Sequence, residues 1–273
     1  MLLDLLQLPI LAREFDWGTV GEYLFRDSIR EGAWRTLQLS VLAQIGGIIL
    51  GVVTAVPRNL KIPVIGQLFG LYVWFFRGTP LLLQLFIWYF ALPLYAPDEI
   101  AWLPFYDPDL LRLSSFQAAL IGLAVNEGAY MSEIMRAGIE SIETGQMDAA
   151  KSLGMTRLQA MRHVILPQAA RVVVPPTGNE FNAMLKNSSL AYVISYQELL
   201  FRSRAIYVNN FKVMELLVVA SLWYLFFTTV WSFIQAEIEQ SLRPEQERGG
   251  VWQRVRRALA LPERWTAGGG ESR

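Results

Sequence analysis

A few charged and polar side chains interrupt otherwise apolar runs of this chain, and their chemistry stands out first. Arg77 and Glu127 each lie about halfway along such a run, and Asn179 lies in another. A carboxylate can hold an ammonium group, whereas a guanidinium or an amide can donate hydrogen bonds to a carboxylate. An ionised group in an apolar environment costs free energy unless it is paired or hydrated. These residues are therefore candidates for a binding site.

The chain offers little for catalysis or metal binding. It has no cysteine and a single histidine, His163, so disulfides and cysteine-containing zinc sites are excluded. His163 stands in a polar segment and is predicted to be a surface residue. The phosphate-binding pattern G-x-x-x-x-G-K-[ST] is absent from the sequence, so the chain is not expected to hydrolyse ATP. We predict no catalytic residue, no metal, no cofactor and no nucleic-acid partner.

Composition and apolar runs indicate a membrane protein. Of 273 residues, 53% are hydrophobic and 18% charged, whereas soluble domains carry about 25% charged residues. A helix needs about 20 mainly apolar residues to cross a bilayer. The stretch Pro57-Arg58-Asn59 is expected to end the first such run, and Pro175, Pro176 and Gly178 are expected to loosen the fourth so that backbone groups line a cavity. The predicted spans are residues 37–56, 68–94, 116–135, 171–194 and 216–233.

The distribution of basic residues predicts the topology. Five spans place 14 lysines and arginines on one side and eight on the other, and the richer side is expected to be cytoplasmic. The N-terminus then faces outward, and the C-terminus faces the cytoplasm of a bacterial cell with a plasma (inner) membrane. We divide the chain into an extracytoplasmic segment, 1–33, a transmembrane domain, 34–240, and a basic tail, 241–273. Residues 1–10 are predicted to form a short interfacial helix, and the tail either lies on the membrane surface as a helix or is disordered.

The segment between the third and fourth spans is charged and helix-forming. Residues 146–153 favour a helix, and Gly154 suits the left-handed position that follows a helix end. Thr156 and Gln159 form a capping box that starts a second helix. Ala149 and Ala150 are expected to leave a flat patch for another protein. The pattern predicts two short helices joined at a glycine on the cytoplasmic surface.

This segment resembles the EAA loop of ABC importer permeases. The family pattern is E-A-A, three residues, G, nine residues and I-x-L-P, and residues 148–167 follow it with Asp148 for Glu and Val164 for Ile. The RGTPLL stretch at 77–82 and the GAY-x-x-E-I-x-R-x-G-I pattern at 128–139 are similar to the polar amino acid permeases, the histidine, glutamine, glutamate, arginine and opine group.

The resemblance implies an all-α membrane protein of the type I ABC importer fold, with five transmembrane helices and a cytoplasmic coupling loop between helices 3 and 4. It implies an ATPase dimer that binds ATP and Mg²⁺, an extracytoplasmic solute-binding protein, and a second permease subunit, identical or a sister chain. Membrane lipid and an amino-acid substrate complete the expected partners. The residues that would couple to the ATPase are Asp148, Ala149, Ala150, Gly154, Leu166 and Pro167.

A zwitterionic amino acid needs an anion for its ammonium group and donors for its carboxylate. Glu127 is expected to supply the anion, and Tyr130 is expected to close the site; the full predicted set is Arg77, Thr79, Glu127, Tyr130 and Asn179. Two alternatives stay open. Arg77 and Glu127 could neutralise one another across a helix pair, and the chain could be a secondary transporter or channel with Glu127 as its ion or proton site. Glu133 and Arg136 are predicted to pair near the cytoplasm.

Overall fold

The computed structural model describes residues 15–59, 62–91, 94, 112–142 and 144–242. Over these residues the chain is helical and contains no strand. The predicted interfacial helix at 1–10 and the tail from residue 243 lie outside the described residues. The helices are α1 Trp17–Leu24, α2 Asp27–Asn59, α3 Ile65–Gly78, α4 Leu81–Phe86, α5 Ser115–Glu140, α6 Thr144–Ser152, α7 Arg157–Ala160, α8 Leu166–Asn187, α9 Leu199–Asn210 and α10 Val213–Ser241. Short helical turns extend α4 to Ala91, α7 to Ile165 and α8 to Ile194.

The first long helix is longer than its apolar run. α2 begins at Asp27, includes Pro57 and ends at Asn59, within the stretch from Pro57 to Asn59 that was predicted to end it. A proline in the last turn removes only one backbone hydrogen bond, which a helix end tolerates. The helix continues unbroken across residues 33 and 34, and α1 packs against α10. The structure therefore shows no break at the proposed 33/34 boundary, and the three-part division of the chain stays a prediction.

The second predicted span is broken. The axes of α3 and of the α4 helix, which continues to Ala91, differ by 107°. Thr79, between the two helices, has an extended backbone, as expected for a residue that precedes proline, here Pro80. By length and apolar composition, α2 and α10 can each cross a membrane, and the bent pair could be a third span. These are the candidate spans among the described residues, and the count of five spans stays a prediction.

The seam between α2 and α5 is the most extensive helix contact among the described residues. A Cβ atom at Gly47 would lie 2.4 Å from Glu127 Cγ, and one at Gly51 would lie 2.4 Å from Met131 Cβ. Two glycines one turn apart thus form the face of α2 that α5 packs against. Beside this seam, buried side chains from several helices form the main core, including Leu39, Leu85, Leu123, Met184 and Ile194.

The prolines of α8 do not open the helix. α8 is continuous from Leu166 to Asn187 with Pro175 and Pro176 inside it, so the predicted loosening is wrong. Side chains of α10 contact carbonyl groups of this stretch: Trp231 Nε1 donates to the Gly178 oxygen at 2.8 Å, and Gln235 Nε2 donates to the Pro175 oxygen at 3.3 Å. The α8–α10 contact therefore supports the segment with two prolines.

The ends of α1, α2, α9 and α10 meet at one end of the bundle. Lys212 Nζ lies 2.9 Å from Asp16 Oδ2, and the pKa of the Asp16 carboxyl is lowered because Lys212 and Thr19 bond to it. The fully buried Glu198 caps α9 and accepts a hydrogen bond from Tyr224 of α10 at 2.7 Å. These contacts fix the connector α9 to the bundle.

Candidate functional site

The break between α3 and α4 is held by two amides. Gln84 is 2% exposed, and its Nε2 lies 2.9 Å from the Phe76 oxygen and 2.8 Å from Thr79 Oγ1. Asn126 Nδ2 of α5 donates to the same Phe76 oxygen at 3.0 Å and to Gln84 Oε1 at 3.1 Å. The Phe76 carbonyl lies in the last turn of α3, where no further helical turn can donate to it. The two amides supply the missing hydrogen bonds. The two amides fix the direction in which Arg77, in the last turn of α3, leaves the helix.

Replacing Gln84 with leucine should disorder this break. Leucine keeps the volume but removes one donor from the partly buried Phe76 and Thr79 oxygens, and a buried polar group left without any partner costs about 1–3 kcal/mol. We expect a lower thermal midpoint for the purified protein and weaker substrate binding. Gln67→Leu makes the same change at an exposed position of α3 and should change neither quantity. Equal effects of the two variants would show that the break does not depend on Gln84.

Arg77 and Tyr130 lie together in the structure. The Arg77 guanidinium carbon is 5.3 Å from the centre of the Tyr130 ring, within the range of a cation–π interaction. Thr79 is used differently from its predicted role. Its hydroxyl donates to the Phe75 oxygen at 2.9 Å and accepts from Gln84, so it stabilises the break. The structure thus gives Thr79 a supporting role and leaves the exposed Arg77 side chain in contact with Tyr130.

Glu127 lies buried between α2 and α5. It is 5% exposed, and its Oε1 accepts a hydrogen bond from Gln44 Nε2 at 3.1 Å. Gly47 provides the space for its side chain, because any Cβ atom there would overlap Glu127 Cγ. Among the described residues Glu127 has no ion pair with Arg77, so the alternative that these two neutralise one another is wrong for this chain. The partner of Glu127 is the amide of Gln44.

Two site residues differ from the prediction. Asn179 faces α10, where its Oδ1 accepts from Gln235 Nε2 at 3.0 Å, and the structure does not bring it to the other predicted residues. Glu180, which the sequence alone did not select, faces α5. Val173, seven residues earlier and on the same side of α8, packs against Gly138 of α5. This register places Glu180 on the side of α8 that packs against α5, the helix that also carries Glu127 and Tyr130.

Ion pairs join α2 to α5 at the other end of these helices. Glu133 and Arg136 lie 2.8 Å apart, which confirms the pairing predicted from their spacing. Arg58 of α2 joins them, with Nη1 2.7 Å from Glu133 Oε1, and Arg136 also contacts Glu140 at 2.7 Å. The contribution of Arg58 could not be read from the sequence, because it depends on the packing of two distant segments.

The loop between α5 and α8 has the predicted shape. α6 ends at Ser152, Gly154 has φ +81°, and Thr156 and Gln159 form the capping box at the start of α7. His163 is exposed, as predicted, with Nδ1 3.0 Å from the Gln159 oxygen. Only the alanine patch differs: Ala149 is exposed, but Ala150 is 3% exposed and packs inward. Consecutive helical residues point about 100° apart and cannot share one face.

The outer surface of this loop carries two exposed leucines. Leu153 is 80% exposed and Leu158 is 78% exposed, the highest values among the large hydrophobic side chains described. They flank the glycine, and they were not among the predicted residues, although an apolar residue within a polar loop was a readable signal. Of the other residues predicted to contact an ATPase, Asp148, Gly154, Leu166 and Pro167 are all exposed.

Two known transport proteins are similar to this chain in sequence. The arginine transport system permease protein ArgU of Corynebacterium glutamicum is 41% identical over 249 residues, which are 90% of this chain and 77% of that protein. The glutamine transport system permease protein GlnP of Escherichia coli K12 is 33% identical over 230 residues, 84% of this chain and 99% of that one.

Solved structures agree with these relatives. A chain of the crystal structure of an amino acid ABC transporter with histidines superposes with a TM-score of 0.73 at 31% identity, over 84% of this chain and all of that one. The inward-facing MetNI methionine ABC transporter matches with a TM-score of 0.61 at 17% identity, over 79% of this chain and 96% of that chain, which shows the fold alone.

The all-α chain thus has the type I ABC importer transmembrane fold, and in this family the ATPase activity belongs to a separate subunit. The family described as the binding-protein-dependent transport system inner membrane component matches residues 47–244. This chain belongs to that family: it is a membrane permease subunit of an ABC importer.

Proposed function

We propose that this permease subunit moves a polar amino acid into the cytoplasm through a site formed by Arg77, Glu127, Tyr130 and Glu180. The observation that carries the proposal is the position of Arg77 over the ring of Tyr130, which lies three residues after Glu127 on α5. The guanidinium is exposed and able to bond a substrate carboxylate, and Glu127 is an anionic partner for an ammonium group. The names of the relatives, which include arginine and glutamine permeases, support the same substrate class.

The proposed assembly contains two copies of a separate ATPase, an extracytoplasmic solute-binding protein and a second permease subunit. The exposed loop with Leu153 and Leu158 is the surface proposed to contact the ATPase, which supplies the ATP and Mg²⁺ sites. The excess of basic residues in the loop and the tail supports a cytoplasmic location for both, and hence an outward N-terminus. When ATP closes the ATPase dimer, α6 and α7 would move with it and transmit the motion to α5 and α8, which carry Tyr130, Glu127 and Glu180.

Replacing Glu127 with glutamine tests the site. Glutamine keeps the shape of the side chain and removes its charge, so the complex should assemble normally while the ammonium group loses its partner. We expect substrate-stimulated ATPase activity of the reconstituted complex to fall by about tenfold or more, equivalent to at least 1.4 kcal/mol.

The matched control is Glu22→Gln, which removes the same charge from an exposed position on α1 and should leave the activity unchanged. Unchanged amino-acid transport in Glu127→Gln would reject this site. Transport by the purified chain alone, driven by an ion gradient, would instead support a secondary transporter.

A further inference from the structure

We propose that an anionic phospholipid binds at the turn between α1 and α2, with an acyl chain against α10 and its phosphate beside Arg26. This turn, residues 23–28, has an apolar side and a polar side. Leu24 and Phe25 line a cleft on the apolar side, whereas Tyr23 and Arg26 line a pocket on the polar side. Adjacent residues of one short turn thus join an apolar site to a polar one, as a lipid joins its acyl chains to its headgroup.

The apolar side is a cleft of about 270 Å³ between the turn and α10. It is lined by hydrophobic side chains, namely Leu24, Phe25, Leu222, Trp223 and Phe226. Trp223 meets Phe25 edge to face, with 6.2 Å between the ring centres, and its only donor, Nε1, is already bonded to the Leu24 oxygen at 2.8 Å. Phe25 and Phe226 remain 67% and 55% exposed. The cleft therefore offers apolar surface without a free donor, which suits a hydrocarbon chain.

The cleft lies at the level where the hydrocarbon of the membrane is expected to begin. Tyr224, next to the cleft residue Trp223 on α10, donates to Glu198, which also contacts Thr36 of α2. Thr36 is the residue before the charge-free run of α2, residues 37–56. Tryptophan and tyrosine are enriched at this boundary of a bilayer. A lipid acyl chain is therefore the apolar group available to fill the cleft.

The polar side is a pocket of about 480 Å³ between the turn and the end of α9. Arg26 is exposed, and its guanidinium lies over the Tyr23 ring at 4.8 Å, with no hydrogen-bond or ion-pair partner in the described part of the chain. Asn210 accepts from the Lys212 backbone through Oδ1, which leaves its Nδ2 as a donor, and Ser28 adds a hydroxyl. Arginine, amide and hydroxyl donors together suit the oxygens of a phosphate group.

The charges at this pocket favour an anionic lipid over a zwitterionic one. Arg26 and Asp27 are the charged residues that line it, and Asp27 is paired with Arg30. Arg26 therefore contributes a positive charge that is not offset. The phosphodiester of phosphatidylglycerol offsets it, whereas phosphatidylcholine brings a second, fixed positive charge to the same place. Charge complementarity predicts tighter binding of phosphatidylglycerol.

Titration of the detergent-solubilised permease–ATPase complex with single lipids, read by native mass spectrometry, tests this site. The wild type should bind phosphatidylglycerol at least about tenfold more tightly than phosphatidylcholine with the same acyl chains. Arg26→Gln should weaken phosphatidylglycerol to the level of phosphatidylcholine, and Arg26→Lys should keep most of the preference because it keeps the charge. Phe226→Ser should weaken both lipids by about threefold or more, because both use the cleft.

Arg204→Gln is the matched control. Arg204 of α9 is also exposed and lies over a tyrosine ring, that of Tyr192, at 5.7 Å, but it does not line the pocket, so this variant should keep the wild-type preference. The proposal is overturned by equal affinity of the wild type for the two lipids, by an unchanged preference in Arg26→Gln, by the same loss in Arg204→Gln, or by unchanged lipid binding in Phe226→Ser. Displacement of the bound lipid by glycerophosphoglycerol, the headgroup without acyl chains, would identify a soluble phosphate ester as the occupant and would also overturn it.

Discussion

Replacing Gly51 with alanine should destabilise the permease, although alanine is the stronger helix former. A Cβ atom at Gly51 would lie 2.4 Å from Met131 Cβ and 3.0 Å from the Met131 backbone carbon. Since the nearest atoms belong to the backbone and the first side-chain carbon of α5, no rotamer change removes the overlap. The two helices must separate, and overpacking of this kind typically costs about 1–3 kcal/mol.

The separation should also reach the site. Gln44 and Glu127 meet across the same seam, and their hydrogen bond depends on the distance between α2 and α5. We therefore expect Gly51→Ala to lower both the thermal midpoint of the purified protein and its affinity for substrate. Both quantities can be measured in detergent, by melting with and without ligand.

The chain offers a matched control for Gly51. Gly70 lies inside α3, and a Cβ atom there would have no neighbour within 4 Å. Gly70→Ala should leave stability unchanged or raise it by about 0.5–1 kcal/mol, because alanine loses less conformational entropy than glycine in a helix. If Gly51→Ala melts at the same temperature as Gly70→Ala, the close packing of α2 on α5 is not a source of stability.

Features with local signals were predictable from the sequence. Gly154 adopts the left-handed conformation that glycine adopts most readily, and the capping box of Thr156 involves only Gln159, three residues away. The Glu133–Arg136 pair has the same short range. Each of these interactions is complete within one or two helical turns, so the order of the residues is enough to define it.

Features that depend on the packing of distant segments were not predictable. The loss of Asn179 from the site and the gain of Glu180 depend on which face of α8 packs against α5, and two adjacent residues of a helix necessarily point in different directions. The support of the α3–α4 break by Asn126 joins residues about 50 positions apart. The role of Gln44 was not predictable for the same reason, because its hydrogen bond to Glu127 joins two distant segments.

Replacing Leu158 with aspartate should separate the permease from its ATPase without unfolding it. The Leu158 side chain is 78% exposed, so its loss removes almost no contact within the chain, and the thermal midpoint of the isolated permease should not change. A charge at the centre of an apolar protein–protein contact is expected to cost about 2 kcal/mol or more, roughly a thirtyfold weaker Kd. The amount of ATPase that co-purifies with the permease measures this effect.

Val208→Asp provides the control for this variant. Val208 is an exposed aliphatic residue, 57% exposed, on α9, on the connector that the basic-residue count places outside the cell. The same change of chemistry there should leave ATPase binding at the wild-type level. Leu153 lies on the other side of Gly154, so Leu153→Asp should reproduce the Leu158 result if both leucines enter one apolar groove. Full ATPase binding by both leucine variants would mean that the loop contacts its partner through the polar side chains of α6 instead, and Asp148 would then be the residue to replace.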